Sequence, residues 1–328
     1  MNGKKFKFYR LFVILFCVLM VRNVMADQSK YYFKLQGEGV FVRLYVNDAE
    51  VLSNLKFGEM NFYQLASQYF KSGKNEVVID MEPYNHSERN YTFNEDDFYL
   101  SLDVSNENGA SEEVVNLVKL KFDGDKLYQL NKKKDRKEFQ ASESNTFVLL
   151  DDVFISDFQM RYENRVSSPS TKRVRVEFSI NDNDLLDPNW IAAKKIDQLK
   201  PHDKKRLWDA YAHVYEVIKD DNEGEYKDLM RSVNTHLSHV IGYDVDDFAN
   251  EFLNNDPLVE PDLNFSPNFK IGMEGDYFVR SSPNNKMFNI IPNPLVYTND
   301  EGEVGLERVF YFCDFGNGFE ICHVYSGY

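Results

Sequence analysis

The sequence predicts an α+β protein: an antiparallel β-sandwich first, a helical group after it, and an antiparallel meander at the end. Three observations carry that prediction. From Tyr31 to about Ile180 apolar residues alternate with polar ones, the period of strands with one buried face. After Asn181-Asp182-Asn183-Asp184 the period lengthens to that of an amphipathic helix. From Asn264 onward short apolar runs return, separated by turn residues. Helices followed by antiparallel strands make an α+β unit.

The expected organisation is a leader over residues 1–26, a β-sandwich domain over 27–181 and an α+β domain over 182–328; roughly 300 residues beyond the leader suit two domains better than one. The leader has the form of a secretory signal peptide. Lys4, Lys5, Lys7 and Arg10 make a positive start, Leu11 to Val21 an apolar core too short to span a bilayer comfortably, and Val24-Met25-Ala26 a small-residue cleavage site. Cys17 lies in that core and is discarded with it. No later stretch approaches about twenty apolar residues, so no membrane span is expected after cleavage. The predicted location is the periplasm.

In the first domain Val40, Val42, Leu44 and Val46 alternate with Phe41, Arg43 and Tyr45, and Asn47-Asp48 offers a turn. Phe62 to Lys71 is expected as a helical turn across one end. Glu76 to Met81, Phe98 to Val104, Val114 to Phe122 and Lys172 to Ile180 read as strands, and Phe147 to Phe154 as a continuous apolar run. Lys126 to Asn145 is a charged connection whose basic cluster reads as a solvated loop.

The segment VRLYVNDAEV followed by NFYQLASQYFKSGKNEVVIDMEP resembles the opening of jelly-roll, carbohydrate-binding-like modules. In exported bacterial proteins it also resembles immunity-type proteins that neutralise type VI secretion effectors. The resemblance spans about 55 residues; it implies a sandwich and a partner, and assigns no site.

In the second domain Asp187-Pro188 supplies an N-cap and a first-turn proline, predicting a helix to about Leu199. Pro201 to Asp203 opens the next, with Leu207, Tyr211, Val214 and Ile218 on one face. Tyr226 to Val240 carries a third stripe, which Gly242 ends. Asp244 caps a short fourth helix. Each stripe reads as a core face. The order of helices and then a curved sheet resembles cystatin-like folds in pattern.

The last twenty residues, VFYFCDFGNGFEICHVYSGY, read as a hairpin turning at Asn317-Gly318, the strongest short-range signal for a type I′ turn. A two-residue turn there sets Cys313 opposite Cys322 at a non-hydrogen-bonded position, where Cα atoms approach to about 4.5 Å. A disulfide is expected, in keeping with an oxidising compartment.

The chain has 38 basic and 53 acidic residues, and five of the basic ones lie in the leader, leaving a formal charge of −20. That disfavours nucleic acid as a partner and suits a basic protein. His236 and His239 are three apart rather than the four of a zinc-hydrolase helix, and read as two partly exposed histidines. His323 reads as an ordinary strand residue. Asp244-Val245-Asp246-Asp247 superficially resembles a calcium loop but lacks its glycine and final glutamate. No serine-hydrolase elbow or phosphate-binding glycine loop occurs, and no cofactor is expected. The leading expectation is a non-enzymatic binding protein that occludes a toxic effector. Its candidate contact residues are the acidic tips Asp182, Asp184 and Asp187, and Asp244, Asp246 and Asp247, although both tips also serve as helix caps. The alternatives are a carbohydrate- or envelope-binding module, and a hydrolase with a carboxylate pair that the sequence does not single out.

Overall fold

The computed structural model describes residues 30–56, 58–108, 111–130, 146–150, 152–162, 165–220, 222–254, 266–269, 277–298 and 308–326. The leader and most of the charged connection 126–145 lie outside these. The protein is mostly antiparallel β, with two sheets packed face to face in the first half. One has the order β4-β1-β6-β7-β8: Met60–Leu65, Lys30–Glu38, Tyr99–Asn108, Ser111–Phe122 and Leu127–Gln129. The other has the order β10-β11-β5-β2-β3: Phe154–Asp157, Lys172–Ile180, Gly73–Pro83, Val40–Val46 and Ala49–Asn54, with β9 (Phe147–Leu149) also on β11.

Between the sheets lies the core that the alternation predicts. Phe33, Leu35, Leu100 and Leu102 of the first sheet pack with Val42, Leu44, Ile79 and Val176 of the second. Lys172–Ile180 is a strand with the predicted bounds. The apolar run Phe147 to Phe154 is instead two strands, β9 and β10, which meet opposite ends of β11. Phe62 to Lys71 is only partly helical: Met60–Leu65 pairs with β1, and a single 3-10 turn, Ser67–Tyr69, follows.

The predicted helix from Pro188 to Leu199 is absent. Only Asn189–Ala192 makes a 3-10 turn, and Ala193 is extended. Tertiary anchors override the local cap signal: the Trp190 indole N–H donates to the Asn47 carbonyl at 2.7 Å, and the Lys194 and Ile196 amides donate to the Asp314 and Asn285 carbonyls. The other helices form as read: α1 (Pro201–Lys219), α2 (Glu223–Ile241), ended by Gly242 in the left-handed conformation, and α3 (Val245–Asn254). The Asp244 side chain accepts from the Asp246 and Asp247 amides and caps α3. Among the described residues no helix is long and apolar enough to cross a membrane.

β12 (Ser266–Phe269) pairs with β15 (Leu295–Thr298). A four-stranded sheet, β13-β14-β16-β17, is built from Phe278–Ser281, Met287–Ile291, Arg308–Asp314 and Phe319–Ser326. It is buried on both faces. Phe288, Phe310, Phe312 and Ile321 meet Leu207, Tyr211, Met230 and Val233 of α1 and α2. Met287, Tyr311, Cys313 and Cys322 join the sandwich core instead.

Cys313 and Cys322 form a disulfide, with Cα atoms 5.8 Å apart. The route to it differs from the predicted register. Asp314 pairs with Phe319, so the turn has four residues, and Cys313 faces Glu320. Positive φ falls at Gly316 and Gly318, whereas a type I′ turn needs it at Asn317. A bulge then inserts Cys322 between Ile321 and His323. Alternation from Glu320 already sets Cys322 on the face that carries Cys313 and Tyr311, and the extra residue brings His323 onto the same face, opposite Tyr311.

Candidate functional site

The two acidic tips lie at hollows on either side of one stretch of α2. A groove of about 960 Å³ runs between the 186–189 segment, α1, α2 and β17. Val214, Leu229, Phe312, Phe319 and Ile321 make its apolar floor. Asp187, Glu225, Asp228 and Glu320 line it with carboxylates. Leu186, 46% exposed, sits at the lip. A smaller hollow of about 270 Å³ holds Asp246 and shares Asp228 and Arg231 with the groove. An apolar centre with a charged border is the anatomy of a protein-binding surface.

Of the predicted residues, Asp187 lines the groove and Asp246 the neighbouring hollow. Asp182 is taken up within the fold, accepting from the Tyr31 hydroxyl of the first strand at 2.7 Å and from the Asp184 amide at 3.0 Å. Asp184 and Asp247 are exposed. Asp244 is committed to its cap.

A second feature was hidden in the sequence. The outer face of the second sheet is polar, and the C-terminal sheet covers it. Arg43, Asp80 and Arg173 stand in one cross-strand row on β2, β5 and β11. Asp80 takes Arg173 through both oxygens, at 2.5 and 2.7 Å. Burial pushes the Asp80 carboxyl up, opposed by the guanidinium beside it. Glu50 of β3 takes Arg280 of β13 at 2.9 Å and the Tyr311 hydroxyl of β16. Glu82 takes Arg165, the Tyr162 hydroxyl and the Ser168 amide, which together hold its carboxyl below its usual range despite burial. Each of these three buried carboxylates thus has an arginine to neutralise it.

Of the histidines, His236 differs from expectation. His236 is buried and donates Nε2–H to the Gln68 carbonyl at 2.7 Å, and burial lowers its pKa. His239 is exposed. His323 is buried, donates to the Glu50 carbonyl at 3.0 Å, and packs against Tyr69, Trp190 and Tyr311. Among the described residues no group of three or more metal-ligating side chains occurs. Alternation marked Arg43 and Arg173 as off the core face, but no local signal identifies a second covering layer. No protein-family model matches the chain, and no curated protein or solved structure matches it.

Proposed function

We propose that this chain is an exported, periplasmic binding protein of the immunity type, which neutralises a toxic secreted effector by occupying it. The observation that carries the reading is the groove beside α2, whose apolar floor and carboxylate lining suit a basic, partly apolar element of another protein. The acidic balance of the chain steers such a partner toward it. The buried Cys313–Cys322 disulfide is in keeping with export, as are the leader-like first 26 residues. The same reading takes in a jelly-roll-like first domain and a cystatin-like second one.

The test is capture and protection. Tagged chain purified from its own periplasm is expected to bring down one stoichiometric enzyme, and its expression is expected to protect cells from that enzyme. Asp187→Lys with Glu320→Lys is expected to abolish both without lowering the melting temperature. If the wild-type chain protects against no co-captured toxin, the immunity reading fails. If the charge-reversed variant still protects, the groove is not the interface.

One observation favours a second reading, binding to an envelope polysaccharide. On the solvent face of the first sheet Tyr63, 54% exposed, stacks on Tyr32 with ring centroids 5.1 Å apart and planes 6° apart. Such a platform suits a sugar ring. Retention on envelope polysaccharide that Tyr63→Ala abolishes would support it; absence of retention would remove it.

A further inference from the structure

Arg43 presents a physical problem. It is only 6% exposed, and its Nε has no hydrogen-bond partner among the described residues. Its cross-strand neighbour Asp80 has both oxygens bound by Arg173. Its guanidinium carbon lies 5.2 Å from the Tyr162 ring centroid, and its charge acts on Asp80 without a hydrogen bond. A buried cation without a hydrogen-bonded counter-charge costs several kcal/mol, and an unsatisfied buried donor calls for an explanation.

The surroundings supply one. Arg43 lines a cleft of about 690 Å³ between the second sheet of the sandwich and β13 of the C-terminal sheet. Arg161 and Lys204 stand at its exposed rim. Arg173 and Arg280 also line it, but Asp80 and Glu50 neutralise them. Asp197, the other carboxylate among the described lining residues, pairs with Lys195 at 2.9 Å. Among the described residues that leaves three cations facing one hollow in a chain whose formal charge is −15. Phe158 and Phe278 add aromatic surface, and Arg161 stacks over the Phe278 ring at 4.2 Å.

We infer that this cleft is a binding site for a small ring-bearing anion, a sugar acid or sugar phosphate. Arg43 binds the carboxylate or phosphate at the back of the cleft. Arg161 and Lys204 draw it in from the rim, and the aromatic side chains face the ring. A planar guanidinium matches either oxyanion with two parallel hydrogen bonds, and the volume is that of an ordinary small-molecule site. The ligand spans both halves of the chain, because β2 and β13 supply opposite walls. The site shares no residue with the groove beside α2 and does not depend on the effector reading.

The experiment titrates the purified chain with glucuronic acid, glucose 1-phosphate and neutral glucose at matched ionic strength, reading heat by calorimetry and melting temperature alongside. Saturable binding of at least one acid, and none of glucose, is expected. Arg43→Met is expected to weaken that binding about 10- to 100-fold, the worth of charge-assisted hydrogen bonds. Its unliganded melting temperature is expected to equal or exceed that of the wild type, because a buried charge without a hydrogen-bonded counter-charge among the described residues has gone. If Arg43→Met fails to fold, the rim pair Arg161→Ala with Lys204→Ala gives the same readout, with weakened binding expected. A response to glucuronic acid alone identifies sugar acids as the source, and one to glucose 1-phosphate alone identifies phosphorylated sugars. No saturable binding of either acid overturns the inference. So does binding that Arg43→Met, or in its place the rim pair, leaves unchanged.

Discussion

Arg280 Nη2 lies 2.9 Å from Glu50 Oε2, joining the edge strand of the sandwich to the C-terminal sheet through two buried side chains. The same guanidinium donates to the Tyr311 hydroxyl at 2.6 Å and to Asn289 Oδ1 at 3.1 Å, and Tyr311 in turn donates to Glu50. The interface therefore holds a closed polar network beside the apolar contacts of Met287, Cys313 and Cys322. Its satisfied geometry makes each member depend on the others.

Removing one partner leaves the other charge buried. Glu50→Gln and Arg280→Met are each expected to lose about 3–5 kcal/mol. The double variant is expected to lose clearly less than the sum of the two. Urea unfolding of the four proteins tests this. Single variants within about 1 kcal/mol of wild type, the worth of an exposed pair, would show that the pair is not holding the halves together.

Trp190 is the second fastener. Its indole donates to the Asn47 carbonyl, and Asn47 in turn orders the turn between β2 and β3 by bonding Tyr69, Asn75 and Glu76. Trp190→Phe keeps one aromatic ring but removes the donor, along with part of the buried volume. It is expected to cost about 1–3 kcal/mol, the penalty of an unsatisfied buried carbonyl. An unchanged urea midpoint would mean that water replaces the indole without loss.

These fasteners explain what could be read from the sequence. Lys172–Ile180 was legible because strict alternation reports a strand directly, and α2 because its apolar stripe ends at Gly242, where left-handed backbone is needed. The Pro188 helix was misread because Asp187-Pro188 is a local signal, whereas Trp190 and Lys194 answer to distant residues. The hairpin was misread by register alone: the cysteines pair, but through a longer turn and a bulge that hydrophobic pattern does not encode. For the site, Asp187 and Asp246 were legible as acidic tips. The cleft at Arg43 was not, because alternation says which residues share a face and not what covers it.

The disulfide closes a short loop, with a sequence separation of 9. The chain-entropy model assigns such a loop roughly 2–3 kcal/mol. Cys313→Ala with Cys322→Ala is expected to lose about that much, and somewhat more for the buried sulfur volume. Reductant is expected to lower the melting temperature of the wild type and to leave the double variant unmoved. Equal melting temperatures for wild type with and without reductant would show that the bridge contributes nothing to the folded state.

His323 contributes to the acid limb of the stability curve. Burial pushes its ring down to about 4, against an opposing hydrogen bond to the Glu50 carbonyl. An exposed histidine titrates near 6.5, so the unfolded chain takes up a proton as the pH falls past about 6.5 while the folded chain waits until about 4. Stability is therefore full above pH 6.5, falls between 6.5 and 4, and levels off below that for this group, a total of roughly 3 kcal/mol. His236, also lowered by burial, adds a loss of the same sign. His323→Gln keeps an N–H donor for Glu50 but removes the titration. Its unfolding free energy is expected to fall less steeply than that of wild type from pH 6.5 to 4.5, whatever constant offset the substitution introduces. Parallel slopes for the two proteins would place the acid sensitivity elsewhere.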